Sequence, residues 1–570
     1  MTENPTQTDL PESHNATVPS PKGKNKKEPM RHEQYVEQLQ TYFSCGMDEI
    51  EVIIKTQLYE KELHILIHLD LDPIIPILTS LYSPGKLKDA RDPPSMLRAL
   101  ILMLLLGYSS ITKWVKRTKQ EAFIAVLIGF EPGDVPGVGT YYGFMARIVN
   151  GPYRPPCRCK NLVKRSDYNI GPHQRNFKNE KKDKKAAKND FDPYHSKSGK
   201  LAASLLAATE SARSENLYKI LEDLHIKIGV IPSIREGLIS DLHNLIISGD
   251  GSILQTAASS RGKPTCECRS KGIYKCDHDR LYTSPTAKFC FDHVKDAFLF
   301  GDRYYHMVTT QNGHDFPLLT YMPGGNESDY TLSLTSFDRL EKALRENDVD
   351  VTISTFVGDG HHDSYAHYHY FGEKNVLPII PLSKSSQNAY PHLCDDSDVR
   401  LDTDGVPLCP EGKRMRHHCY DKNKKTHVYC CPAKRNTHRN GKSEYVFHEK
   451  DCPRQQDCHP QSPLGPLVYL KSSEDPRLFP PLPRDSRKFK DLSNQRSASE
   501  RINFINDAYG VENSCRNADY GLIRLTLANI VHHCSVRYQA ARNRLDNKAV
   551  TSRHRDGKPV ETMCEFQDSS

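Results

Sequence analysis

The chain has 570 residues, with 78 Lys and Arg against 71 Asp and Glu for a formal charge of +7, and its 37% of hydrophobic residues exclude wholesale disorder. The longest apolar run, Ala99 to Leu106, falls far short of the roughly 20 residues that cross a bilayer, and the N-terminus lacks the apolar stretch of a secretory signal. A cytoplasmic protein without a membrane anchor is therefore expected; its 17 Cys read as reduced thiols or metal ligands, and its small positive charge permits a nucleic-acid partner without demanding one.

Residues 1–32 are rich in Pro, Ser, Thr and Asn and end in KGKNKKEPMRH, the pattern of a disordered basic arm. Helical patterning dominates 33–156. Pro93 and Pro94 sit where a helix starts, Gly107 marks its end, and GVGTYYGFMARIV (137–149) predicts a further helix. Lys113, Lys116, Arg117 and Lys119 surround Trp114 as a basic helix face that suits DNA phosphates or plain solvent equally. A basic linker follows over 157–198, readable as a solvated connector or as a tether on DNA phosphates.

A mixed α/β pattern occupies 199–389. It predicts a helix over 199–225 and a short buried strand, HNLIISGDGS (243–252), ending on an acid. RYYHMVTTQ (303–311) and FPLLTYMP (316–323) form a hairpin turning at Asn312, Gly313 and His314. A helix over 330–347 precedes TISTFVGDG (352–360), again a strand ending on an acid, and VLPIIPL (376–382), which Pro378 and Pro381 consign to a sheet edge. Residues 390–485 are rich in Cys, His and Pro with weak periodicity. Residues 486–548 return to helix, including SASERINFINDAYGVEN, and 549–570 predict a disordered tail.

Asp250 and Asp359 each lie between two glycines, which leaves the backbone open to a close phosphate. Carboxylates at neighbouring strand ends form the usual crevice of an α/β sheet, and they repel one another unless a divalent cation compensates. Oxygen-only ligands favour Mg²⁺ or Mn²⁺, although Asp-Gly pairs also cap turns with no metal. Arg496 and Glu500 are four apart on one helix face, either a third acid with a phosphate-orienting guanidinium or a surface ion pair. His361 and His362, just beyond Asp359, suit a helix start better than proton transfer.

The cysteines fall into two groups, Cys266, Cys268 and Cys276 with His278 and Cys290, and Cys409, Cys419, Cys430, Cys431, Cys452 and Cys458 with His417 and His418. Neither contains a C-x2-C pair. Structural zinc is expected in the second group, on Cys430, Cys431, Cys452 and Cys458, because 400–470 lacks an obvious apolar core; scattered thiols in a β-rich insert are the alternative. The first group ranks behind it.

The order Asp250, Asp359, Arg496-x3-Glu500, with gaps of 359 − 250 = 109 and 500 − 359 = 141 residues, resembles the catalytic domain of DDE transposases from bacterial insertion sequences. GDGS (249–252), FGDRYYHMVTTQNGHDFPLLTYMPGGNESD (300–329) and VGDGHHDS (357–364) are similar to that family's blocks. Residues 90–144 are similar to its helical N-terminal domain, and CPEGKRM (409–415) with the later cysteines to its inserted Cys-bearing segment. The resemblance covers roughly 60–545.

It implies an α/β protein with an RNase H-like catalytic core (199–389 and 486–548), a helical N-terminal domain that binds DNA ends (33–156), and a Cys-rich insertion (390–485) between the second and third acids. It implies metal-dependent cleavage of double-stranded DNA at element ends and strand transfer into target DNA, close to the nucleoid, by a protein that is a homodimer in its DNA complex. Asp250, Asp359 and Glu500 would then hold two Mg²⁺ or Mn²⁺ ions, Arg496 would orient phosphate, and Lys113, Lys116, Arg117 and Lys119 would contact DNA. Two positions depart from the family: Ser493 replaces a Tyr, and Asp507 replaces a basic residue. They motivate two alternatives, a non-catalytic DNA-binding protein derived from a transposase and an RNase H-like nuclease without strand transfer.

Overall fold

In the computed structural model the described residues are 28–46, 48–83, 86–152, 161–163, 213–276, 278–292, 295–325, 327–383, 399–402, 404–439, 441–447, 462–473, 475–511 and 515–553, with 202–203, 206, 452–454 and 458 between them. Most of the expected basic arm, the basic linker and the C-terminal tail lie outside these residues. Among the described residues, no single helix is long and apolar enough to cross a membrane.

Among the described residues, the N-terminal part is built of α-helices α1 (His32–Cys45), α2 (Glu49–Leu58), α3 (Glu60–Ile67), α4 (Ile75–Ser80), α5 (Pro93–Leu105), α6 (Ile111–Gln120), α7 (Ala122–Leu127) and α8 (Val138–Asn150). Helix α5 begins on Pro93 and Pro94 because proline needs no N–H partner there, and Asp92 accepts the Ser95 N–H at 2.9 Å. Gly107, at φ +72°, takes the left-handed conformation that ends it. The helix expected over 199–225 starts afresh partway: the Ser214 hydroxyl accepts from Leu217 and opens α9 (Glu215–His225), which runs through a π turn into α10 (Ile231–Arg235).

The protein is mixed α/β. Strand β1 (Asn161–Val163) joins β3 (Lys263–Pro264) and β4 (Arg280–Tyr282) in a small antiparallel sheet. The main sheet is mixed, in the order β7-β6-β2-β8-β9, from β2 (Leu245–Gln255), β6 (Ala297–Gln311), β7 (His314–Gly324), β8 (Ile353–Val357) and β9 (Leu377–Ile379). Strand β5 (Lys288–Asp292) shares the outer edge of β6 with β7. Strands β2, β6 and β7 are antiparallel neighbours, whereas β8 runs parallel to β2 and β9 parallel to β8. Asn312 and Gly313, both at positive φ, close the β6–β7 hairpin, and β9 with its Pro378 is the edge strand. One expectation is corrected. Strand β2 does not end at Asp250 but continues to Gln255, because its pairing with β6 persists to Gln255 and Gly301; only the parallel pairing with β8 stops, at Ser248 and Val357.

Helices α11 (Asp329–Glu346) and α12 (Tyr365–Glu373) connect the strands, and α13 (Arg487–Ser493), α14 (Ser497–Ala508) and α15 (Ala518–Arg553) complete this part. Between them a small β module holds β10 (Arg400–Leu401), β11 (Pro407–Leu408), β12 (Arg416–Asp421), β13 (Thr426–Cys430), β14 (Lys434–Arg439), β15 (Lys442–Phe447) and β16 (Val468–Lys471). Helix α15 packs on α3, α5, α9 and β7, so one apolar cluster runs without interruption from Leu66 and Leu100 through Ile530 to Phe316 and Leu340. The N-terminal helices and the sheet therefore share a core. Truncating Ile530, which is fully buried, to Ala is expected to cost about 2–5 kcal/mol and to lower a single transition common to both parts, read by hydrogen exchange on α5 and β7 during denaturation.

Candidate functional site

Side chains alternate along β2, so Asp250 faces one side of the sheet and the flanking glycines the other. On the Asp250 side lies α14, seated by Ala498, Ile502 and Ile505 against Val308. A buried polar network adds direction: His306, opposite Asp250 in the sheet, lies 2.7 Å from the Thr320 hydroxyl and 3.1 Å from the Asn506 amide, while Asn529 donates to Thr320 at 2.7 Å. Burial pushes the His306 imidazole down to about 3, so it stays neutral within this network. Tyr304 donates to Asn503 at 3.1 Å, one turn beyond Glu500.

The glycines have a reason other than phosphate access. A Cβ on Gly249 would stand 2.3 Å from the Tyr305 hydroxyl, and one on Gly251 would stand 1.9 Å from an Asp329 oxygen. Both positions are filled by protein. Asp329, the first residue of α11, is a fourth acid that the sequence reading missed; its sequence signal was the block ending GGNESD, with Asp329 at a helix start.

Four carboxylates thus gather around the centre of the sheet. Burial, then Asp329 and Asp359, then more weakly Glu500, push the Asp250 carboxyl up to about 7, against the Gly251 N–H that favours ionisation. Its three neighbours each carry a partner. Arg303 grips Asp329 through two bonds of 2.9 and 2.6 Å. Arg496 donates to Glu500 at 2.7 Å, the i,i+4 pair that the spacing allowed.

Asp359 caps the 3₁₀ turn Gly360–His362 just after β8. Its Oδ1 lies 2.7 Å from His362 Nδ1, and its Oδ2 lies 2.8 Å from His361 Nδ1. Burial alone would raise this carboxyl, but the bonds to His362 and His361 outweigh it and hold the group far below its ordinary range. Behind it, burial and the surrounding carboxylates keep the Tyr305 hydroxyl protonated, 2.9 Å from His362 Nε2. The two ring nitrogens of His362 thus bridge Asp359 and Tyr305. His361 is exposed, and Asp359 raises its imidazole above the ordinary value.

The loop after Asp359 is tied to the β module. Arg477 donates twice to Asp363, both bonds 2.9 Å, and Tyr365 donates to Asp475 at 3.0 Å. The Arg477–Asp363 pair is nearly fully buried.

The basic face of α6 is separate from this cluster. Lys113, Lys116 and Lys119 are exposed, whereas Arg117 is committed to Glu121 at 2.6 Å and to the Tyr59 hydroxyl at 3.0 Å, an internal brace that also includes Lys55.

The cysteines rank differently in space than in sequence. Cys266, Cys268, Cys276 and His278, between β3 and β4, place their ligand atoms within 4.8 Å of one another and could hold a metal ion. Zn–S bonds of about 2.3 Å in a tetrahedron set S···S edges of about 3.8 Å, with S···N edges slightly shorter. Cys266 and Cys276 are 3.6 Å apart and Cys268 is 3.4 Å from His278 Nδ1, so the spacing suits zinc. The Cys268 N–H and then the Cys276 thiol pull the Cys266 thiol below its ordinary value, while the hydrogen bond to Cys266 pushes the Cys268 thiol up to about 11. In the β module, Cys431, Cys452 and Cys458 line one cavity, but Cys409 is the fourth thiol there. Cys430 is fully buried elsewhere, accepting from Arg416 at 3.6 Å.

No protein-family model matches the chain, and no curated protein matches it.

Two outcomes follow from this geometry. With no cation bound, the unfolded chain gives up the Asp250 proton near pH 4 while the folded chain holds it to about 7, so this group's effect is to lower stability as pH rises through that window. Asp250→Asn is expected to remove that slope and to stabilise the metal-free protein at pH 7.5 by on the order of 2–4 kcal/mol, read from urea denaturation in chelator across pH. At the Cys266–His278 centre, Cys268→Ser is expected to remove one equivalent of zinc from protein purified under reducing conditions, measured by metal release to a chromophoric chelator.

Proposed function

We propose that the protein is a DDE transposase with an RNase H-like core, cutting double-stranded DNA at the ends of its element and joining the freed ends to target DNA. The observation that carries this reading is the position of three acids: Asp250 on the central strand, Asp359 after the adjacent parallel strand, and Glu500 on a later helix that packs on β2 and β6. The sheet order β7-β6-β2-β8-β9, with three antiparallel strands followed by two parallel ones, supports the RNase H-like assignment.

The donor set suits a divalent cation. All the donors are oxygens, and Asp250 has no cationic side-chain partner among the described residues, so its ionised form lacks the countercharge that Mg²⁺ or Mn²⁺ would bring. Asp250, Asp359 and Glu500 would hold the metal, which when bound activates the attacking hydroxyl and stabilises the leaving oxygen. His362, backed by Tyr305, fixes the direction in which Asp359 presents its oxygens. Arg303 holds Asp329 in place beside Gly251. Arg496, released from Glu500, would meet a DNA phosphate with its planar fork of donors. Lys113, Lys116 and Lys119 would add phosphate contacts from a different surface.

The test uses DNA carrying the sequences that flank the gene, with Mg²⁺, and reads cleavage and joined products. Asp250→Ala, Asp359→Ala and Glu500→Ala are each expected to reduce joining by about a thousandfold or more, the loss of several kcal/mol of metal-borne stabilisation. Cleavage without joining would replace the reading with a nuclease. Folded, end-binding protein that cuts in neither Mg²⁺ nor Mn²⁺ would replace it with the binding-only protein that Ser493 and Asp507 suggest.

A further inference from the structure

The β module has a small apolar core, Leu382, Leu401, Val406, Met415, Tyr429, Leu470, Leu478 and Phe479 with Cys409 among them, and it spreads its strands over three little sheets. A core of that size seldom holds such a module alone, and small β-rich folds commonly rely on a metal or disulfide staple. Four cysteines line one cavity in this module. Cys409 follows β11, Cys431 follows β13, and Cys452 and Cys458 come from the stretch before β16; all four line a single cavity.

The local chain is shaped around these sulfurs. Three of the four are followed by proline, as Cys409-Pro410, Cys431-Pro432 and Cys452-Pro453. Proline at the first corner of a turn presets φ and has no N–H of its own. At Cys409 the turn is closed by the Gly412 N–H on the Cys409 carbonyl at 2.8 Å, with Gly412 at φ +72°. Arg454 pairs with Glu411 at 3.1 Å and so pins the Cys452 turn beside the Cys409 turn. Gly465 lies so close that a Cβ would stand 2.5 Å from the Cys431 Cβ, and the Cys431 N–H is fixed on the Leu464 carbonyl at 3.0 Å.

We propose that Cys409, Cys431, Cys452 and Cys458 bind a tetrahedral zinc ion, distinct from the Cys266–His278 centre, and that this ion closes the β module. An all-sulfur set selects zinc over the hard cations suited to the carboxylate cluster. Lys413 and Arg454, which also line the cavity, offset part of the charge that four thiolates and one Zn²⁺ leave behind.

The test is a zinc count on the full chain purified under reducing conditions. Wild type is expected to hold two equivalents. Cys276→Ser, Cys431→Ser and Cys458→Ser are each expected to hold one, and Cys430→Ser to keep two because that thiol lies outside the cavity. Because Cys431→Ser could fail to fold, a second measurement uses the Cys276→Ser chain loaded with Co²⁺. It is expected to show the intense thiolate-to-cobalt charge-transfer band and the visible bands of a tetrahedral four-sulfur site. A wild type with one equivalent that vanishes in Cys276→Ser, a Cys276→Ser chain with no cobalt–thiolate band, or these four thiols found paired as disulfides would each overturn the proposal. A failure here leaves the carboxylate chemistry untouched, since the DNA assay reads that separately.

Discussion

At Asp250 two electrostatic costs coincide, the removal of a carboxylate from water and its placement beside three others, and the surrounding structure is organised by that crowding. Arg303 offsets Asp329, the paired histidines offset Asp359, and Arg496 offsets Glu500. Only Asp250, on the most central strand, has no such partner among the described residues. The unmet charge sits on the central strand, and the partnered acids around it are held in place rather than left to swing away. Gly249 and Gly251 belong to the same arrangement: their missing side chains let Tyr305 and Asp329 close up against the strand, so the cluster is walled from behind by protein.

The fold delivers Glu500 to this place by indirect means. Its helix, α14, has only a narrow apolar contact with the sheet, at Val308, Ala498, Ile502 and Ile505. The remainder of its seat is polar: His306, Thr320, Asn506 and Asn529 form a buried network across β6, β7, α14 and α15. Such a network specifies one orientation more sharply than apolar packing does, because sliding the helix would strand its buried groups. The buried Arg477–Asp363 pair plays the same part on the other side, fastening the β module to the loop that carries Asp359. Removing either partner of a buried pair costs about 3–5 kcal/mol, because the other charge is left alone out of water.

Much of this was legible in the residues. The hairpin at Asn312–Gly313, the start of α5 at Pro93 and the edge position of β9 each follow from backbone constraints that act within a few residues, which a sequence displays directly. The features that escaped are those set across the sheet. Strand β2 outlasts Asp250 because β6, some fifty residues on, still pairs with it, and no local pattern announces that. Asp329 stands at a helix start as many acids do, and only its position against Gly251 sets it apart. Arg117 looked like its exposed lysine neighbours, yet Tyr59 and Glu121 from elsewhere in the chain claim it. Cys409 and Cys430 differ in their surroundings rather than in their spacing: one faces a cavity with three other thiols and the other is enclosed in the module beside Arg416.

The placement of the module between Asp359 and Glu500 also sets a schedule. The first two acids leave the ribosome well ahead of the last, by the 500 − 359 = 141 residues that separate them. At about 5–20 residues per second that interval is on the order of ten to thirty seconds. During it the growing chain contains Asp250, Asp329 and Asp359 but no Glu500, and α14 is not yet made. The carboxylate cluster is therefore among the last features of the molecule to exist, and a chain truncated anywhere in the module holds three of its acids and never the fourth.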